Sequence, residues 1–223
     1  YIEVAKVLDW SGVGAVVPVL GAEMNGFTVI DDDQGQPRRL FFRADRVDKR
    51  SDVLSFVDYK TGKVFSDARK EPTRASHFLS AVRNGSALQA MAYARNAGRE
   101  CGEGRYVFLD PDLDDSLRSW SVETENEELS QAFEDATHTL LRSWDRGVFF
   151  PRLVEPSVER EPSRCGYCQV AEACLRGDSG VRARLLRWQR DAQATLARGQ
   201  DLGDWESAFL EVWGLGRKGG GSR

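Results

Sequence analysis

No apolar run in the sequence is long enough to cross a membrane, which takes about 20 consecutive apolar residues. No basic-then-apolar leader opens the chain either, so the expected location is cytoplasmic, with no membrane partner. Positive charge is not in excess: 31 lysines and arginines stand against 35 aspartates and glutamates, a net charge of −4. Any binding of a polyanion must therefore come from local patches rather than from overall charge. Lysine is scarce, with six among the 31 basic residues, so 25 are arginine. Arginine suits two-pronged contacts with phosphate, although the same bias also follows from genomic base composition. Histidine is nearly absent. His77 has no partner motif nearby and reads as a surface or helix-cap residue, and His138 reads as structural. No internal repeat is present.

What is there is an ordinary soluble composition, 41% hydrophobic and 30% charged over 223 residues, enough to bury one full core with an appendage. Tyr1 is not a natural start, and the apolar spacing of Ile2 to Leu8 reads as the end of a helix begun earlier, so a piece of a longer polypeptide is expected. Val13 to Leu20 and Glu23 to Ile30 read as strands, with a turn over Asp31 to Gln36. The chain then reaches FFRADRVDKRSDVLSFVDYKTGK, from Phe41 to Lys63. Leu40 to Val47 and Val53 to Tyr59 read as two strands joined by a charged turn over Asp48 to Asp52.

Three charged groups, Asp45, Asp58 and Lys60, fall inside these apolar strands. Asp58 and Lys60 are two apart and share a face. A hairpin folded symmetrically about Ser51 and Asp52 places Asp45 across from Asp58. Facing carboxylates repel unless a positive charge lies between them. A divalent cation fits, since Mg²⁺ is commonly held by one or two carboxylates with water and phosphate. Lys60 would then stand beside it. The alternative is an exposed hairpin with ordinary surface charges.

Asp45-Arg46-Val47-Asp48, then Asp58-Tyr59-Lys60-Thr61-Gly62, then Gln89-Ala90-Met91-Ala92-Tyr93 resemble the motifs of the RecB-family nuclease domain within the PD-(D/E)XK superfamily. The likeness runs over about Ala15 to Cys174, departing at Phe42, where that family usually carries glycine. It implies a restriction-endonuclease-like α/β fold with a central mixed sheet flanked by helices. Asp45, Asp58 and the main-chain carbonyl of Tyr59 would hold Mg²⁺ or Mn²⁺, and Lys60 would assist the attacking water. Gln89 and Tyr93, four apart and so on one helical face, would point at the active site. Glu23 resembles a glutamate often seen in the strand before the motif, and reads equally as a strand-edge charge. An upstream acidic or histidine ligand of that family has no clear match here.

Cys165, Cys168 and Cys174 form C-x2-C-x5-C. Outside a secreted context such clustering reads as metal or cluster ligation rather than disulfides, with zinc or free thiols as the other readings. The resemblance to the AddB-like subset implies a [4Fe–4S] cluster held by these three and a fourth cysteine upstream of Asp45. The only other cysteine, Cys101, lies elsewhere, as a stand-in or as unrelated.

Between the motifs, Thr61 to His77 reads as a polar connection, and Phe78 to Ala97 as a helix or two helices broken at Asn84-Gly85. Arg105 to Asp110 reads as a strand, and Leu113 to Val122 as a ragged edge strand. Glu125 to Arg146 reads as a helix capped by Thr124 with Glu127 completing a capping box. Its stripe of Leu129, Phe133, Ala136, Leu140, Leu141 and Trp144 is expected in the core. Val181 to Arg198 and the Trp205, Phe209, Trp213 stretch read as C-terminal helices. The expected division is a nuclease domain over 1–176 and a helical extension with a flexible tail over 177–223.

The reading as a whole is a Mg²⁺- or Mn²⁺-dependent deoxyribonuclease of DNA repair or recombination, an exonuclease rather than an endonuclease. By the family likeness its partners are DNA and a helicase, or the rest of a longer polypeptide. The rival is a nuclease-fold module that binds DNA ends or scaffolds a repair complex without cleaving.

Overall fold

Five strands form one sheet in the computed structural model, which describes residues 18–50, 52–96, 101–148, 168–169, 174 and 178–215. They are β1 (Val19–Asp31), β2 (Pro37–Arg50), β3 (Val53–Lys60), β4 (Cys101–Phe108) and β5 (Ser119–Glu123), side by side in that order. The β1–β2, β2–β3 and β4–β5 pairs are antiparallel, whereas β3–β4 is parallel. A parallel neighbour requires a crossover. It is supplied by two helices, α1 (Glu71–Arg83) and α2 (Leu88–Arg95). The mixed sheet with helices is the α/β class expected from the sequence.

The most apolar motif strand takes the middle of the sheet. From Ser55 to Asp58 every residue of β3 is buried. Its Phe56 packs with Ala44, Val47 and Tyr93 as one core cluster, each large ring contributing about 1.5–3 kcal/mol on burial. Helix α2 sits very close to β4 at one point. A Cβ on Gly104 would fall 1.8 Å from the Ala90 carbonyl oxygen, so only glycine permits this approach. The Ala90 N–H also donates to the Tyr106 hydroxyl at 3.1 Å.

Several local expectations change. Val19–Asp31 is one strand that runs through the gap expected between Leu20 and Glu23, while residues 13–17 of the first expected strand lie outside the described residues. The turn placed over Asp48 to Asp52 is shorter, because β2 runs on to Arg50 and β3 starts at Val53. Between β1 and β2 the turn falls where expected: the Asp32 carboxylate accepts from the N–H groups of Gln34 and Gln36, and Gly35 has φ +71°. Helix α1 begins at Glu71, inside the stretch read as a polar connection. Pro72 opens its first turn, a position where the missing N–H costs nothing. Asn84-Gly85 does break the helical stretch, with Gly85 at φ +75°. The fourth strand is Cys101–Phe108, earlier than read, and a short 3₁₀ turn at Asp115–Leu117 occupies the start of the expected ragged strand.

The third helix, α3, spans Glu127–Asp145. Its cap is Asn126, whose side-chain oxygen accepts from the Leu129 N–H at 3.0 Å, not Thr124. Asn126 stands two residues nearer the helix start and reaches its third N–H. Leu129, Phe133 and Ala136 are buried as expected, but Leu140 is 38% and Trp144 66% exposed.

The chain divides within α3 into two compact units, between His138 and Thr139, the second ending at Gly214. That second unit contains α4 (Ser179–Ala197) and α5 (Asp204–Gly214). Leu186, Phe209 and Trp213 form its buried cluster, with Trp188 edge-on to Phe209 at 4.5 Å between ring centres. Arg142 and Arg146 both pair with Asp204, at 3.1 and 2.6 Å. Among the described residues no helix is long and apolar enough to cross a membrane.

Candidate active site

The β2–β3 ladder brings the two motif acids to one level. Its pairs run Arg50↔Val53, Asp48↔Ser55 and Arg46↔Val57, the register of a hairpin symmetric about Ser51 and Asp52. One step further along that register Asp45 comes level with Asp58. There the strands part: the Tyr59 N–H donates to Asp45 Oδ2 at 2.7 Å. A carboxylate thus takes the place a main-chain carbonyl would hold in a continuing ladder.

Asp58 is only 5% exposed. Its Oδ2 lies 2.6 Å from Lys60 Nζ, a close ion pair. Burial raises the Asp58 pKa above the ordinary carboxylate value; Lys60 works against this, and the nearby Asp45 charge adds to it.

From Lys60 a chain of hydrogen bonds leads to α2. Lys60 Nζ donates to Gln89 Oε1 at 2.9 Å, and Gln89 Nε2 donates to the Tyr93 hydroxyl at 2.6 Å. That hydroxyl donates to the Arg43 carbonyl at 2.8 Å and stands 3.4 Å from Asp58 Oδ1. Burial raises the Tyr93 pKa, and the Asp58 charge raises it further, so the group stays protonated. Tyr106 lies beneath Lys60, its ring centre 5.4 Å from Nζ, and burial pushes its pKa up to about 12. Asp45, Asp58, Lys60, Gln89 and Tyr93 are therefore gathered at one place.

Other acids sit near without joining this group. Glu23 falls level with Asp45 on the β1 side, between the pairs Ala22↔Arg46 and Met24↔Ala44, with φ +55°. Its carboxylate is bound to Arg43 Nε at 2.6 Å. Asp48 is fully buried and pairs with Arg46 at 2.6 Å, while Arg46 also donates to the Tyr59 hydroxyl at 2.7 Å. This brace, on the strand face opposite Asp58, was not singled out from the sequence. Its signal there was an arginine and an acid two apart in an otherwise apolar strand. Gly104 and Tyr106, which seat α2, had no signal.

A divalent cation fits the acid pair. Two close carboxylates, one of them desolvated and raised, gain from a cation, and Mg²⁺ commonly uses one or two carboxylates with water and phosphate. Among the described residues no three His, Cys, Asp or Glu side chains converge as a metal site, so the protein's share would be this pair with a main-chain oxygen. The cysteine reading cannot be assembled in the same way. Cys165 lies outside the described residues, and Cys168 and Cys174 are free thiols, the first exposed. No four-thiolate set is formed among the described residues.

A family model described as PD-(D/E)XK nuclease superfamily matches residues 11–175. No curated protein matches the chain. The solved structure of a protein called SSO0001 is similar over 78% of this chain at 13% identity, with a TM-score of 0.34. This chain covers 64% of that protein's length.

Proposed function

The chain belongs to the PD-(D/E)XK nuclease superfamily, and from that premise we propose that it hydrolyses phosphodiester bonds in DNA with Mg²⁺ or Mn²⁺ at the Asp45–Asp58 pair. The observation that supports this most is the register that levels Asp45 with Asp58 and sets Lys60 Nζ 2.6 Å from the buried acid. A bound cation supplies positive charge to the scissile phosphate and acidifies a water. Asp45 and Asp58, with the Tyr59 carbonyl, hold it. Lys60 orients the attacking water and offsets charge that grows on the phosphate oxygens. Gln89 and Tyr93 are positioning residues: Gln89 aims the Lys60 ammonium, and Tyr93 ties Gln89 to the main chain of β2.

The motif spelling supports a RecB-like, AddB-like placement, with an exonuclease acting in DNA repair or recombination beside a helicase or as part of a larger polypeptide. Phosphate contacts position a strand without reading its bases, so sequence specificity is assigned elsewhere. The cluster reading of Cys165, Cys168 and Cys174 belongs to the same placement and is tested by iron and labile-sulfide content of protein purified without oxygen.

The deciding experiment is cleavage of end-labelled linear single- and double-stranded DNA with Mg²⁺, Mn²⁺ or EDTA. Lys60→Ala and Asp58→Ala should each lower metal-dependent cleavage by about 10²- to 10³-fold or more, with fold and DNA binding kept. DNA binding without cleavage in the unaltered protein would instead support the module that holds DNA ends.

A further inference from the structure

The outer half of the β1–β2 ribbon carries side chains that the cleavage site does not use. Along β2 the even residues Leu40 and Phe42 turn inward, whereas Arg39, Phe41 and Arg43 are exposed. Their partners across the ladder are Val29, Phe27 and Asn25. Phe41 is 71%, Val29 46% and Phe27 40% exposed. The Phe27 and Phe41 rings stand 6.0 Å apart, and the Arg39 guanidinium lies 4.8 Å over the Phe27 ring. On the same face Arg43 continues the row, its guanidinium paired with Glu23 at 2.6 Å.

Two exposed phenylalanines on a strand are costly unless something covers them, and grouped exposed apolar residues mark binding surfaces. The arginine beside the rings suits a polyanion, whose phosphates a guanidinium group can meet. Aromatic faces alternating with arginine are what an unpaired polynucleotide recognises, its bases stacking on rings and its phosphates meeting guanidinium groups. Bases inside a duplex are already stacked and offer no free face. Phe42 and Ala44, which alternate with the row, pack with Phe56 and Tyr93 on the helix side, so the row lies on the other face of the ribbon. Phe41 precedes Asp45 by four residues on the same strand, about 13 Å at strand spacing, a distance a few nucleotides span.

We propose that the exposed Arg39–Phe41–Arg43 row with Phe27 is a stacking platform that holds single-stranded DNA beside the Asp45–Asp58 pair. This rests on the nuclease reading above and deepens it: the strand presented for cleavage is unpaired where it meets the ribbon.

The test is binding by the full chain in EDTA, where no cleavage occurs, to a labelled oligothymidylate and to a blunt duplex of equal length. Phe41→Ala should weaken the single strand by about tenfold and leave the duplex within about twofold, and Phe41→Trp should restore binding. Arg39→Gln, which leaves the apolar face intact, should weaken the single strand in the same direction, with melting temperatures of both variants near that of the parent. Unchanged single-strand affinity in both variants, or equal losses on strand and duplex, would overturn the platform. So would a change in sedimenting mass on Phe41→Ala without loss of DNA affinity, which marks a protein contact. The two readings fail separately. If the unaltered protein does not cleave while Phe41→Ala loses the single strand, the platform stands without the nuclease. If Lys60→Ala abolishes cleavage while Phe41→Ala binds normally, the nuclease stands without the platform.

Discussion

The Tyr59 N–H donates to the Asp45 carboxylate at 2.7 Å, at the point where β2 and β3 stop pairing. Asp45 is thus held by the backbone of the strand that carries Asp58 and Lys60, and the geometry of the acid pair depends on a main-chain bond. Asparagine at 45 can still accept that bond while losing the charge. With Mg²⁺ at about 100 times its dissociation constant, the parent should gain about 2.7 kcal/mol, roughly 5–10 °C in melting temperature for a chain of this size. Asp45→Asn should melt normally in EDTA and lose the Mg²⁺-dependent gain, as read by scanning calorimetry with and without the ion.

Asp58 gives the metal-free protein a pH dependence of definite sign. Burial holds its pKa above the ordinary 3.8. A raised acid contributes stability that is present below the unfolded pKa and lost as pH rises through the folded value. In EDTA, Asp58→Asn should therefore become progressively more stable than the parent as pH is raised from about 4 toward neutrality. Parallel melting curves of the two proteins across that range would contradict the burial argument.

Gly104→Ala should be among the most damaging single-methyl changes in the sheet. The added Cβ meets the Ala90 carbonyl at 1.8 Å, and neither backbone can yield cheaply. A loss of about 3 kcal/mol is expected, or roughly 6–12 °C. Because α2 carries Gln89 and Tyr93, any folded fraction should also cleave poorly.

Tyr93→Phe removes one hydroxyl that joins three groups: it accepts from Gln89, donates to the Arg43 carbonyl and faces Asp58. Stability should fall by about 1–3 kcal/mol. Turnover should fall more than KM changes, since Gln89 would no longer be held in place to aim Lys60. A variant that raises KM alone would show Tyr93 contacting DNA rather than positioning Lys60.

Asp48→Ala should cost about 3–5 kcal/mol, because it removes the carboxylate that balances the charge of Arg46, whose side chain is only 16% exposed. Urea denaturation reads this directly. Cleavage by the folded fraction should persist, since Asp48 lies on the strand face opposite Asp58.

Much of this arrangement was legible beforehand, for identifiable reasons. The period of two along a strand and a polar turn at Ser51 and Asp52 were enough to level Asp45 with Asp58. The Asn84-Gly85 break was legible because a turn at positive φ favours glycine. Errors gathered at helix starts. Pro72 sits in a stretch whose polar composition reads as a connection, although it opens α1. Thr124 has the chemistry of a cap, but Asn126 supplies the cap from a better position. Leu140 and Trp144 follow the same helical spacing as Phe133, and spacing alone does not say how far along a helix the buried contact extends.

Local sequence determined that two carboxylates would face each other, because side-chain alternation and turn symmetry act over a few residues. Only the tertiary structure decided that Lys60 is held by Gln89, that one tyrosine hydroxyl ties α2 to β2, and that Gly104 admits the helix carrying both. Those contacts join residues far apart in the chain. They depend on how closely a helix can approach a sheet, and no local pattern records that distance.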